Sequence, residues 1–128
     1  MFGAQDSSYQ AAGAEPGIRA LCAAFYHHMD REAQASTIRS WHKDDLDDMA
    51  DRLASFVCGW LGGPRLYSQK FGPISIPSYH QQFDIGEAER DAWIHCMDLA
   101  IEEQNWDADF KRYLKAQFRI PAERCRSR

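Results

Sequence analysis

Apolar residues along this chain recur three and four apart, the spacing of one helix face, and nowhere alternate as a strand would. Beginning at Pro16, the residues Ile18, Leu21, Cys22, Phe25 and Met29 form the first stripe, with Tyr26 at its edge. Proline suits an opening helical turn, where its missing N–H would have no partner anyway. A second stripe holds Leu46, Met49, Leu53, Phe56, Val57 and Trp60. Asp44 and Asp45 stand where they can cap it and complement its dipole, and Gly62, Gly63 and Pro64 stop it. From Glu87 a third stripe carries Trp93, Cys96, Met97, Ala100 and Ile101, and a last one carries Phe110, Tyr113, Leu114 and Phe118 and ends near Pro121. A short helix or turn is expected from Ala33 to Arg39. The small polar residues before Pro16 read as a loose lead-in or one short helix. The fold class expected is all-α.

One segment breaks the pattern. Between Arg65 and Phe83 lie Gly72, Pro73 and Pro77, so no long helix can run through it. A connection of that length in a compact domain is usually functional or wrapped around something. It leads to His80 in a short irregular stretch, and Trp93 follows on the inner face of the next helix.

Composition narrows the function classes. The chain has 128 residues, enough for one domain with a sizeable core and too few for two. The domain is expected to span 1–128, with the lead-in over about 1–14 and a basic tail over about 120–128. A net charge of -4 argues against nucleic acid, because phosphate binding needs a cationic face. No apolar run approaches the roughly 20 residues that span a bilayer. The start, MFGAQDSSYQ, lacks the basic flank and apolar core of an export signal, so a cytoplasmic protein is expected. Cys22, Cys58, Cys96 and Cys125 lie far apart with no C-x-x-C pair, and read as reduced thiols, three of them on core faces. His27, His28 and His95 read as surface or core histidines. The acids Asp44, Asp45, Asp47 and Asp48 read as a helix start, not a catalytic dyad.

The segments GWLGGPRLYS and SYHQQFDIGEAERDAWIHCM, together with the pair Phe25-Tyr26, resemble the group II truncated haemoglobins. The resemblance runs from about Ile18 to Phe118 and is densest between Trp60 and Met97. It implies a shortened globin fold, a two-over-two helical sandwich around haem b, with an extended loop before the proximal histidine. By that resemblance His80 is the axial ligand of the haem iron, leaving the other face open for a gas. Trp93 and Tyr26 become distal hydrogen-bonding groups, the indole as donor only and the phenol as donor and acceptor. Both also read as ordinary helix residues filling core, and the two roles are compatible. His42, in SWHKDDL, takes the position closing the distal pocket, and one residue of slack would put Trp41 there instead. Met49 and Leu53 fall on the distal helix, which then offers the ligand no histidine, and Phe56 lines the haem with them.

Departures from the family pattern bear on the haem edge. Pro73 follows Gly72 directly, where many members have His-Pro. Tyr79 precedes His80, where many have an arginine that pairs with a haem propionate, and no proline follows the ligand. Tyr79 therefore contacts the cofactor without replacing that arginine's propionate pair; Arg52 and Tyr67 match other family positions near the propionates, and Arg52 reads equally as a solvated helix arginine.

The function implied is binding of dioxygen and related diatomic ligands. Several fixed donors would hold dioxygen too tightly for bulk transport, which leans towards redox or ligand-detoxifying chemistry such as nitric oxide dioxygenation or a peroxidase-like reaction. Either needs a separate reductase. The rival class is a cofactor-free helical interaction domain, which explains the amphipathic helices but not the long Pro/Gly loop leading to a histidine.

Overall fold

In the computed structural model of the chain, residues 5–40, 46–71 and 85–125 are described. Helix α1 (Ser7–Ala11) leads into α2 (Ala14–Arg31), then a 3₁₀ turn (Ala33–Ala35) and α3 (Ser36–Ser40). There follow α4 (Leu46–Trp60), α5 (Leu66–Phe71), α6 (Glu87–Glu103) and α7 (Ala108–Arg124). No strand occurs among the described residues.

The first stripe became α2, and its apolar face sits at the centre. Ile18, Leu21, Cys22, Phe25 and Met29 are all buried, which for a side chain the size of Phe25 contributes roughly 1.5–3 kcal/mol. α2 packs on α4 at one flank and on α6 at the other, and α6 packs on α7. The pairs α2/α4 and α6/α7 thus form the two-over-two arrangement expected. α4 contributes Ala54, Val57, Cys58 and Leu61 to this core, α6 contributes Cys96, Met97, Ala100 and Ile101, and α7 contributes Phe110, Leu114 and Phe118. Glu89 opens α6 by accepting the Gly86 backbone N–H at 2.7 Å, which satisfies an otherwise orphan donor.

Of the two expectations for the residues before Pro16, the short helix holds, and it is packed rather than loose. Ser8 and Ala12 are buried, and the Ser8 hydroxyl donates to the Tyr113 hydroxyl at 3.2 Å. The seat for this segment is the turn after α4. Gly62 has φ +94°, and a Cβ there would lie 2.0 Å from the Gln5 carbonyl oxygen. A Cβ on Gly63 would lie 2.4 Å from the Tyr9 ring. The two glycines therefore stop α4 and also let the N-terminal segment lie directly on the turn.

Two boundaries differ from the sequence expectation. The segment from Arg65 was read as loop, yet α5 occupies Leu66–Phe71. Between Pro64 and Gly72 no residue forbids a helix, Leu66 packs on the core, and Lys70 pairs with Asp51 of α4 at 3.2 Å. The last helix does not end near Pro121 but runs on to Arg124. Burial of Ala122 and an ion pair from Arg90 of α6 to Glu123 at 2.5 Å hold that final turn, although proline removes one helix hydrogen bond. The predicted caps Asp44 and Asp45, and most of the Pro/Gly-rich segment, lie outside the described residues.

Candidate functional site

α4 presents two adjoining apolar faces. Ala54, Val57, Cys58 and Leu61 are fully in the core. Beside them Met49, Leu53 and Phe56 form a second stripe at helical spacing, packed against the core yet only half-buried, and Trp60 lies at its far end, half-buried beside the turn with the exposed Gly62. Leu66 of α5 and Trp93 of α6 are half-buried in the same way. Large apolar side chains left partly uncovered on neighbouring elements mark a place where an apolar partner sits. Elsewhere among the described residues Ile120 is the exposed large hydrophobic.

Phe25 joins the helices at this site. Its ring lies 4.9 Å from that of Tyr26 in edge contact and 5.1 Å from the indole of Trp93. Tyr26 is buried, at 7% exposure. Trp93 also touches Phe118 of α7 at 5.9 Å. A phenol on α2 and an indole on α6 thus both contact one buried phenylalanine. A flat, apolar group with a polar diatomic ligand suits this set: aliphatic and aromatic walls, plus two side chains able to donate. On that observation the residues fit a haem. Arg52, one step along α4 from Leu53, and Tyr67 on α5 are both half-buried.

Charged groups frame the opposite flank of α4. Arg19 of α2 bridges Glu15 at 2.7 Å and Asp51 at 2.8 Å, and Lys70 reaches Asp51 from α5. The Arg19 hydrogen bond, supported by Lys70, holds the Asp51 carboxyl below its ordinary range. Burial pushes every thiol the other way: Cys96 and Cys125 up to about 11, and Cys22 and Cys58 upward as well. None of the four therefore supplies a thiolate near neutral pH. His28 pairs with Glu103 and His95 with Glu32, the latter at 2.8 Å, while His27 is exposed. His28 and His95 are half-buried. A separate open groove at the α2–α3 corner is lined by Met29 and Ala33 together with charged and polar residues such as Asp30, Glu32 and Arg39.

Of the residues singled out from the sequence, Tyr26, Met49, Leu53, Phe56 and Trp93 are packed on one continuous core, and Arg52 and Tyr67 stand on α4 and α5. His80, Tyr79 and His42, with its competitor Trp41, lie outside the described residues. Sequence reasoning missed the roles of Phe25, Phe118 and Trp60 as the rings that touch the site residues. Their place in helical stripes marked them as inward-facing, but periodicity carries no information about partners on other helices.

The fold is that of a shortened, two-over-two globin, and comparison with known proteins agrees. The profile of the bacterial-like globins matches residues 7–119, and the chain belongs to that family, as a group II truncated haemoglobin. It is similar to the group II 2-on-2 haemoglobin of Agrobacterium tumefaciens, at 31% identity over 94% of this chain and 93% of that one, with a TM-score of 0.87. The cold-adapted truncated haemoglobin of Pseudoalteromonas haloplanktis TAC125 superposes with a TM-score of 0.90, at 28% identity over 94% of this chain and 98% of that one. The group 2 truncated hemoglobin YjbI of Bacillus subtilis (strain 168) is 26% identical over 117 residues, covering 91% of this chain and 86% of that protein. Membership of the family implies haem-based binding of diatomic gases. No helix among the described residues is long and apolar enough to cross a membrane.

Proposed function

We propose that the chain is one domain that holds haem b through His80 and presents Tyr26, Trp93 and His42 to a diatomic ligand. The observation that carries this reading is the half-buried Met49, Leu53 and Phe56 of α4 and Trp93 of α6, packed on the same core as the buried Tyr26. Haem, when bound, would supply an iron able to bind a diatomic gas and to exchange single electrons. Met49, Leu53 and Phe56 would exclude water from the ligand's surroundings, Arg52 and Tyr67 would meet the propionates, and Tyr79 would line the cofactor. Trp93 donates its indole N–H, and Tyr26 donates or accepts through its hydroxyl.

Donors held by packing stabilise a ligand that gathers negative charge more than one that does not. A hydrogen bond to a charged group contributes roughly 1.5–3 kcal/mol, so each donor slows escape of such a ligand by about tenfold to a hundredfold. Two or three of them favour retention over delivery, which supports redox or ligand-detoxifying chemistry in the cytoplasm, with a separate reductase as electron source. The test is consumption of nitric oxide by oxygenated protein supplied with a reductant. Catalytic turnover supports the detoxifying reading. Consumption that stops at the protein's own stoichiometry overturns it, and a purified protein with no Soret absorption overturns haem binding altogether.

A further inference from the structure

Five ring contacts run in series through the molecule. Phe56 stacks on Trp60 at 6.4 Å, and Trp60 meets Phe118 at 4.9 Å. Phe118 meets Trp93 at 5.9 Å, Trp93 meets Phe25 at 5.1 Å, and Phe25 meets Tyr26 at 4.9 Å. Two of these rings are indoles, among the side chains that lose one electron most readily, and Phe118 fills the space between them. A phenylalanine is too hard to oxidise to hold the charge itself. Its π-system in contact with both indoles does provide a short bridge for an electron passing from one to the other. Phe118 is buried, so no water interrupts the bridge. Trp60 is half-buried, the last residue of α4, two positions before the exposed Gly62.

We propose that Trp60, Phe118 and Trp93 form a conduit that carries single electrons from a small reductant at the surface towards the haem site. This rests on the haem reading of the preceding section. With hydrogen peroxide as oxidant the chemistry balances. Trp93 first gives up one electron towards the peroxide, an electron from Trp60 refills Trp93 by way of Phe118, and the Trp60 indole N–H proton passes to water. A one-electron donor of the ascorbate class then returns an electron to Trp60, which recovers its proton from water. Each ascorbate releases one proton with its electron. Two such passages deliver two electrons and two protons, which convert hydrogen peroxide to two waters. The buried thiols Cys22 and Cys96 compete poorly for the charge, because burial opposes the proton loss that their oxidation requires.

The experiment treats haem-loaded protein with hydrogen peroxide in the presence of a nitroso spin trap and maps adducts by tandem mass spectrometry of tryptic peptides. The 53–65 peptide contains Trp60 as its single tryptophan. The expected result is an adduct on Trp60 that requires both haem and peroxide. In Phe118→Leu that adduct is lost while adducts persist at Trp93 or Tyr26, and in Trp60→Phe ascorbate-supported peroxide consumption slows. Absence of a Trp60 adduct in the unsubstituted haem-loaded protein overturns the conduit, whatever the variants do. So does a Trp60 adduct of undiminished yield in Phe118→Leu. A chain that takes up no haem overturns the underlying haem reading and the conduit with it, and the Soret band reports that outcome separately.

Discussion

Replacing Trp93 by phenylalanine separates packing from hydrogen bonding at the candidate distal site. The indole rests on Phe25 at 5.1 Å and on Phe118 at 5.9 Å. A phenyl ring can keep both aromatic contacts while losing the N–H and part of the bulk. The packing change costs on the order of 1 kcal/mol and acts on the protein whatever ligand it holds. The lost donor costs roughly 1.5–3 kcal/mol and acts only on a ligand that accepts a strong hydrogen bond. At about 1.4 kcal/mol per factor of ten, dioxygen dissociation should accelerate by about tenfold to a hundredfold. Carbon monoxide, a poorer acceptor, should respond to the packing change alone. Stopped-flow displacement of dioxygen by carbon monoxide, and of carbon monoxide by nitric oxide, measures the two rates. Equal acceleration for both gases, or an unchanged dioxygen rate, would refute the donor role of Trp93.

Three further outcomes concern the scaffold. Gly62→Ala places a Cβ 2.0 Å from the Gln5 carbonyl oxygen at φ +94°, so the left-handed penalty of about 1–2 kcal/mol is a lower bound. Tm should fall by at least about 4 °C in thermal denaturation, and an unchanged Tm would contradict the close approach. The Asp51 carboxyl titrates below its ordinary value in the folded chain because Arg19 and Lys70 bind the charged form. A depressed folded pKa contributes stability that is present above the unfolded value, about 3.9, and lost as pH falls through the folded one. The stability gap between the protein and Asp51→Asn should therefore be full above about pH 5 and shrink in acid, and a gap that widens in acid would be inconsistent with the pairing. Because Cys22, Cys58 and Cys96 are buried and burial raises their thiols, a disulfide reagent at mildly alkaline pH should label these three only on unfolding, and fast labelling of any of them in the native protein would disprove this.

The helices were legible because burial is periodic. Ile18, Leu21, Cys22, Phe25 and Met29 occupy one face in sequence and in structure, and Gly62-Gly63 ends α4 where a positive φ and a close neighbour demand glycine. The misjudged ends have tertiary causes. α5 is held by an ion pair to Asp51, α7 passes Pro121 because Arg90 holds Glu123, and α1 is ordered by Tyr113 and by the turn it lies on. No local propensity encodes those partners. At the site, the residue types of Tyr26 and Trp93 were readable through the family resemblance. Their common neighbour Phe25, and the ring series through Phe118 to Trp60, depend on how α2, α6, α7 and α4 cross.

The most direct measurement is the Soret spectrum and haem stoichiometry of His80→Gly beside those of His95→Ala. His95 is paired with Glu32 at the surface, so removing its imidazole should leave haem uptake intact. His80→Gly should lose stable haem binding, and imidazole in the buffer should partly restore it. A His80→Gly protein with a normal Soret band and full haem stoichiometry would contradict the assignment of His80 as the iron ligand.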